Sequence, residues 1–373
     1  DLGFLPHMRG GGTHGKGSKM TGVPYTRSTK TGKVLTYKPE QLHAFGFLWT
    51  WKPSVFSFSS PGGRFVWLQC GLVNLIAMAS AWGFWHIQGA ADVSMLADFE
   101  SLEDALHTLI VFLLGLFLAE VISRWHAMFV NCQGGLVAAI DDVNILGKVY
   151  YPDDQEVNDN VLRWCLASHA LLFMMAQDRD PSEVSELVDR GLLTKAEADQ
   201  MVALGTNDAR LPWTWIMEVL QEADKRAKGP SENALYLLHK RCIGGIGAIG
   251  DSLSYLDGKL PIAYVQLLAL MAKFNMLLMA VTRGASVAMH AKGHGAATRW
   301  LAIVLEFTRL FFIPILYQGC FELYDTLSNP WGQDMNDFPE EEFEAAIRSE
   351  CVALTSARTS PACEASRAAQ VAE

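Results

Sequence analysis

Residues 65–85, FVWLQCGLVNLIAMASAWGFW, carry no charged side chain. About 20 consecutive apolar residues are what a helix needs to cross the hydrocarbon core of a bilayer. This stretch therefore reads as a strong first transmembrane helix. Trp67 near one end, and Trp82 and Trp85 near the other, suit the two membrane–water interfaces. The whole chain is less apolar than this segment. Half of its 373 residues are hydrophobic, 19% are charged, and its mean hydropathy is +0.15. That is high for a soluble protein and low for one lying wholly in lipid, so membrane helices joined to a sizeable water-exposed helical part are expected.

Three further segments are candidates to span. ALHTLIVFLLGLFLA (105–119) is strongly apolar but short, and Glu120 and Arg124 follow at once. A membrane helix over 105–124 that continues past the lipid fits this pattern. Residues 260–283 are apolar apart from Lys273 and the closing Arg283, and 300–325 include Glu306, Arg309 and Glu322. Charge inside lipid is expensive and usually faces protein or a water-filled cavity. Those residues therefore point to helix packing or to a pore.

The middle of the chain reads differently. VLRWCLASHALLFMMA (161–176) reads as a buried helix too short to span. PSEVSELVDRGLLTKAEADQMVAL has the periodicity of soluble helices. Ser182 ahead of Glu183 and Glu186 reads as one helix start, and Thr194 with Glu197 as a capping box. Gly191 is a stop between them. Pro212 opens a helix at LPWTW, and 231–256 continue the soluble helical part, taken as 140–256. Residues 1–40 hold seven Lys/Arg against Asp1 and Glu40 and read as a flexible basic arm. That arm is also compatible with the tail of an organelle-targeting sequence. Residues 346–373 read as a disordered tail.

Several chemistries are excluded. The net charge of -10 leaves the chain acidic beyond its basic arm, and no nucleic-acid-binding motif is present. The seven cysteines form no CxxC pair, so neither a zinc site nor a disulfide framework is indicated. No catalytic constellation stands out, and the chain reads as a non-enzyme. GGIGAIG (244–250) matches G-x-G-x-x-G formally, but no strand precedes it. Gly244, Gly247 and Gly250 instead recur at near-helical spacing, which lets helices approach closely. His290 and His294 lie in a Gly/Ala-rich stretch that reads as a loop with solvated histidines. His107 reads as a satisfied buried histidine. In NPWGQDMNDF (329–338), Asp334 and Asp337 follow a turn at a helix end. Carboxylates and carbonyls there suit a hard cation; a solvated acidic loop is the equal alternative.

Five of these segments, in order, resemble the bestrophin family. Trp51-Lys52-Pro53-Ser54-Val55-Phe56 is similar to the family's approach to its first membrane helix. FLLGLFLAEVISRW (112–125) is similar to its second-helix run ending in Arg-Trp. LVDRGLLTKAEADQMVAL with LPWTW resembles its cytosolic helix pair and P-W-x-W. LPIAYVQ (260–266) and NPWGQDMNDF resemble its I-P-x-x-Y-x-Q and acidic turn. The resemblance covers roughly residues 50–345, within a channel domain taken as 41–345.

The resemblance implies an all-α membrane protein with four transmembrane helices (65–87, 105–124, 260–283 and 300–325) plus a cytosolic or stromal helical region. It implies a homopentamer around one axial pore that conducts chloride and bicarbonate. It places Thr108, Phe112 and Leu116 at an apolar neck; their spacing of four independently puts them on one helix face. Thr108 and Leu116 depart from the aromatic residues usual there. A second constriction maps near Ser231 and Glu232, with the spacing off by about two residues. The family's calcium clasp carries over to Asp334 and Asp337, while Gln333, Met335 and Asn336 stand where animal members are usually acidic. Fewer charges should weaken calcium binding. Arg124 and Arg283 are candidates to attract anions, but read better as structural ion-pair members. The partners implied are further copies of the chain, the lipid bilayer and small anions. The rival reading is a structural subunit of a larger membrane assembly, which anion flux from purified protein would discriminate. Plasma membrane and organelle membrane are both open; by analogy with the family's algal and plant branch, a basic leader would favour a plastid thylakoid.

Overall fold

The computed structural model describes residues 25–28, 32–35, 61–86, 91–226, 232–292, 296–332 and 337–356. A short antiparallel hairpin pairs β1 (Tyr25–Ser28) with β2 (Gly32–Leu35), within the arm expected to be unstructured. Everything else described is helix or connection. α1 (Pro61–His86) and α2 (Ala91–Ala127) come first. A π-helical stretch (Met128–Gln133) then joins α2 without a break to α3 (Gly134–Tyr150). The soluble part continues with α4 (Gln155–Ala176), a 3-10 turn (Pro181–Ser185), α5 (Glu186–Asp189), α6 (Lys195–Ala203), α7 (Leu211–Arg226) and α8 (Glu232–Asp257). The chain then re-enters the membrane bundle as α9 (Ile262–Lys292) and α10 (Ala296–Ser328), and α11 (Glu340–Ser356) returns to the soluble part.

Among the described residues, four helices are long and apolar enough to cross a membrane, beginning at Gly62, Leu96, Ile262 and Arg299. α1 packs on α9 and α10, and α2 packs on α9 and α10. Their shared core holds Val73, Ala77, Ile110, Leu114, Ala272, Met276, Met279 and Leu310. Two backbones approach closely at Gly284, where a Cβ would collide with the Ala77 carbonyl oxygen of α1. Polar groups at depth are turned inward, as the cost of burying them demands. Asn74 Nδ2 donates to the carbonyls of Cys70 and Leu310 at 2.8 and 3.2 Å. Lys273 donates to Gln69 and Gln318, and Gln318 donates to Glu322 at 2.8 Å. The opposite faces, with Leu68, Leu72, Leu270, Leu301 and Leu305, are exposed and apolar, a surface that lipid solvates without cost.

The soluble part has an ordinary dry core. Trp213, Leu166, Leu171, Leu172 and Ile140 are fully buried. Gly245 of α8 lies where a Cβ would strike the Trp213 ring. The expected glycine stripe is thus displaced by one register: Gly244, Gly247 and Gly250 would meet nothing within 4 Å, whereas Gly245 makes the close approach. The Thr194–Glu197 capping box forms, and Gly191 ends its helix at φ +69°. The earlier start is capped by Asp180 rather than Ser182, because Asp180 accepts from Ser182 N at 2.8 Å and Pro181 fits the first turn.

Three boundaries differ from expectation. α2 starts at Ala91 rather than near 105, because its acidic first turns find partners described below. α9 runs to Lys292 through the stretch read as a loop, so His290 sits on a helix; Ala285 and Ala288 are buried and hold that last turn in the bundle, and His294 lies outside the described residues. The tail taken as disordered from 346 is helical to Ser356. Ile347 and Cys351 are buried against the soluble core, and Arg190 reaches Glu340 at 2.7 Å and also pairs with Glu344.

Candidate functional site

α2 has two unlike faces. Ile110, Leu114, Phe117 and Val121 are buried against α9 and α10. Thr108, Phe112 and Leu116 lie on the opposite side and are exposed, Phe112 at 63% and Leu116 at 50%. No part of the described chain covers this face. At its lower end Arg124 donates from both terminal nitrogens to the carbonyls of Gly258 and Tyr255. Those are the orphan carbonyls at the end of α8, where the helix dipole is negative. Arg124 is therefore structural, as expected, but as a carbonyl latch and not an ion-pair member. Beside it opens a cleft of about 440 Å³ lined by Glu120, Ser123, Asp251, Ser254 and Lys259 among others.

At the other end of α2 the acids find their partner. Arg283 of α9 is buried, and its guanidinium lies 2.7 Å from Glu103, 3.3 Å from Asp104, 3.7 Å from Glu306 and 3.8 Å from Glu100. Thr282 donates to Glu103 and Ser286 to Glu100, at 2.8 and 2.9 Å. This is the ion-pair role expected of Arg283. Its acidic partners on α2 were not anticipated, although Glu100, Glu103 and Ile110 share a helical face with the buried residues that follow. His107 hydrogen-bonds Tyr317 at 2.6 Å and is satisfied as read.

The turn after α10 is built into the soluble core. Asn329 donates to Ala176 O at 2.8 Å, and Gln177 donates to the carbonyls of Trp331 and Gly332 at 3.0 and 3.2 Å. Asp337 is 4% exposed, with a carboxylate oxygen 2.6 Å from where a Cβ of residue 332 would stand, so any larger residue there would have to displace that carboxylate. Trp331 donates its indole N–H to Gln133, whose amide nitrogen lies 2.9 Å from His169 Nε2. Burial, with Arg190 nearby, pushes His169 down to about 3, so the ring is neutral. Phe338 packs on Trp125 and Phe129, which tie the turn to the end of α2. Residue 331 is 198 positions from Gln133, and no local pattern reveals that link.

Asp334 and residues 51–56 lie outside the described residues, as does Ser231; nothing is described of the Glu232 side chain. Among the described residues no three His, Cys, Asp or Glu side chains gather as a metal site. Two of the turn's carbonyls are already engaged by Gln177. Asp337 is the carboxylate that the described part of the turn would offer a calcium ion, which takes six to eight oxygens.

Residues 34–347 match the family model described as "Bestrophin, RFP-TM, chloride channel". Bestrophin homolog 22 of Caenorhabditis elegans is 25% identical over 61% of this chain, and Bestrophin homolog 24 of the same organism is 24% identical over 61%. The chain covers 45% and 36% of the lengths of those relatives, less than half of each. Among solved structures, a point variant of a bacterial bestrophin homolog from Klebsiella pneumoniae matches at a TM-score of 0.62 and 16% identity, covering 78% of this chain and 98% of that one. A point variant described only as a membrane protein matches at 0.62 and 15%, with the same coverage. At 15–16% identity, the solved structures share the fold. With the family model matched over most of its length, the chain belongs to the bestrophin family.

Proposed function

We propose that this chain is the subunit of an anion channel in which five copies surround one pore, and Thr108, Phe112 and Leu116 of each copy line an apolar neck. The observation that carries the reading is the outward face of α2. Phe112 is 63% exposed in the protomer while the helix's other face is fully packed. A ring of such side chains narrows a pore and gates it by dewetting. Chloride and bicarbonate are the permeant ions this reading assigns, and a plastid thylakoid is one of the membranes it admits. Purified protein reconstituted in liposomes under chloride and bicarbonate gradients tests it. Phe112→Ala should raise conductance; an unchanged conductance removes the neck. Anion flux that is absent from an intact ring would favour the structural-subunit reading instead.

Calcium regulation belongs to the same proposal. The ion would draw on Asp337, on Asp334 and on backbone oxygens beyond those Gln177 engages. Calcium titration of the purified protein by calorimetry, against Asp337→Asn, tests it; identical heats for both proteins would rule the ion out at this turn.

A further inference from the structure

Asp104 stands one helical turn before Thr108 on α2, and Thr108 Oγ1 donates to the Asp104 carbonyl at 2.9 Å. Residues four apart share a helix face, so Asp104, Thr108 and Phe112 form one stripe. With a rise of about 1.5 Å per residue, the Asp104 carboxylate sits about 6 Å beyond Thr108, toward the end of the bundle where α2 begins. The charges around it divide sharply by exposure. Arg283 is only 6% exposed and is shared among Glu100, Glu103, Glu306 and Asp104, with Glu103 closest. The Asp104 side chain is 75% exposed. Arg309, the other cation of the group, lies 3.9 Å from Glu306. An ion approaching along the stripe therefore meets the carboxylate, while the guanidinium of Arg283 is withdrawn behind it.

We infer that Asp104 is a specificity-determining residue of the pore: its carboxylates ring the mouth outside Thr108 and set the balance between anions and cations entering there. This rests on the proposed pore along α2. A ring of like charges enriches counter-ions and depletes ions of its own sign within a Debye length, about 8–10 Å. The mouth then holds less chloride than an uncharged mouth would, which moderates the anion preference of the pore without reversing it. The exposed, single-contact position of Asp104 also means that its removal leaves the buried Arg283–Glu103 pair in place.

The test is the reversal potential of the reconstituted full chain in asymmetric potassium chloride, for the parent, Asp104→Asn, Asp104→Glu and Phe112→Ala. Asp104→Asn should shift the chloride-to-potassium permeability ratio toward chloride by about threefold, the size expected of several solvent-screened charges. Asp104→Glu should keep the parent ratio. Should Asp104→Asn leave the ratio unchanged while Phe112→Ala alters conductance, the inference fails and the pore stands. If neither variant alters any current, or the parent passes none, the pore along α2 falls and the inference with it.

Discussion

The membrane bundle and the soluble helical part solve the same folding problem with opposite surfaces. In the soluble part Trp213, Leu166 and Leu172 are sealed inside, and charges such as Lys225 and Glu222 lie outside. In the bundle, Leu270, Leu301 and Leu305 face outward while Lys273, Arg283 and Glu103 are held within. Water drives apolar groups inward; lipid offers no such drive, so the bundle must be held by close packing and polar contacts. Gly284 against Ala77 and Arg283 among its carboxylates are the expression of that in this chain.

The largest effect is expected from removing the bundle's buried cation. Arg283→Met strands Glu103 without a counter-charge, and truncating one partner of a buried pair costs about 3–5 kcal/mol. Thermal unfolding in detergent should show this loss, and the double variant Arg283→Met/Glu103→Leu should recover part of it, since Glu306 and Glu100 still lack the guanidinium. A double variant as unstable as the single one would show that the pair is not what stabilises this end.

The soluble part should respond to acid through His169. Its folded-state pKa of about 3 lies below the value of an unfolded histidine, about 6.5. The unfolded chain therefore binds the extra proton first, and stability declines as pH falls from about 6.5 toward 3. Between pH 7 and 5 this group alone accounts for about 2 kcal/mol. Replacing His169 with Gln should flatten that part of the pH–stability curve; an unchanged slope would assign the acid sensitivity elsewhere.

The smallest effect is expected at the lipid face. Leu270 is 68% exposed, and Leu270→Ala should change stability by less than about 0.5 kcal/mol. Trp213→Ala, fully buried and hydrogen-bonded to Ser168 at 2.8 Å, should cost about 3–5 kcal/mol. Equal losses at the two positions would mean that the Leu270 face is covered by protein and not by lipid.

The same contrast explains what was legible beforehand. The uncharged run at 65–85 announces α1 because an unbroken apolar stretch of that length matches a helix across the bilayer. Thr194, Glu197 and Gly191 announce their helix ends because caps are local chemistry. Thr108, Phe112 and Leu116 fall on one face by spacing alone, and the structure leaves that face open. What escaped depends on distant partners. The acidic start of α2 is tolerated only because Arg283 meets it from α9. α11 is held by Arg190, some 150 residues away. Gly245 is distinguished from its neighbours only by the ring of Trp213. The link from Trp331 through Gln133 to His169 joins three segments that share no periodicity.

In the proposed channel, the face of α2 carrying Phe112 borders water along a shared axis, while the face carrying Ile110 does not. Cysteine introduced singly at Phe112 and at Ile110, in channels reconstituted in bilayers and exposed to a charged, membrane-impermeant thiol reagent, tests it most directly. Current through Phe112→Cys should be altered by the reagent, and Ile110→Cys should be untouched. Modification at Ile110 with protection at Phe112 would contradict the account.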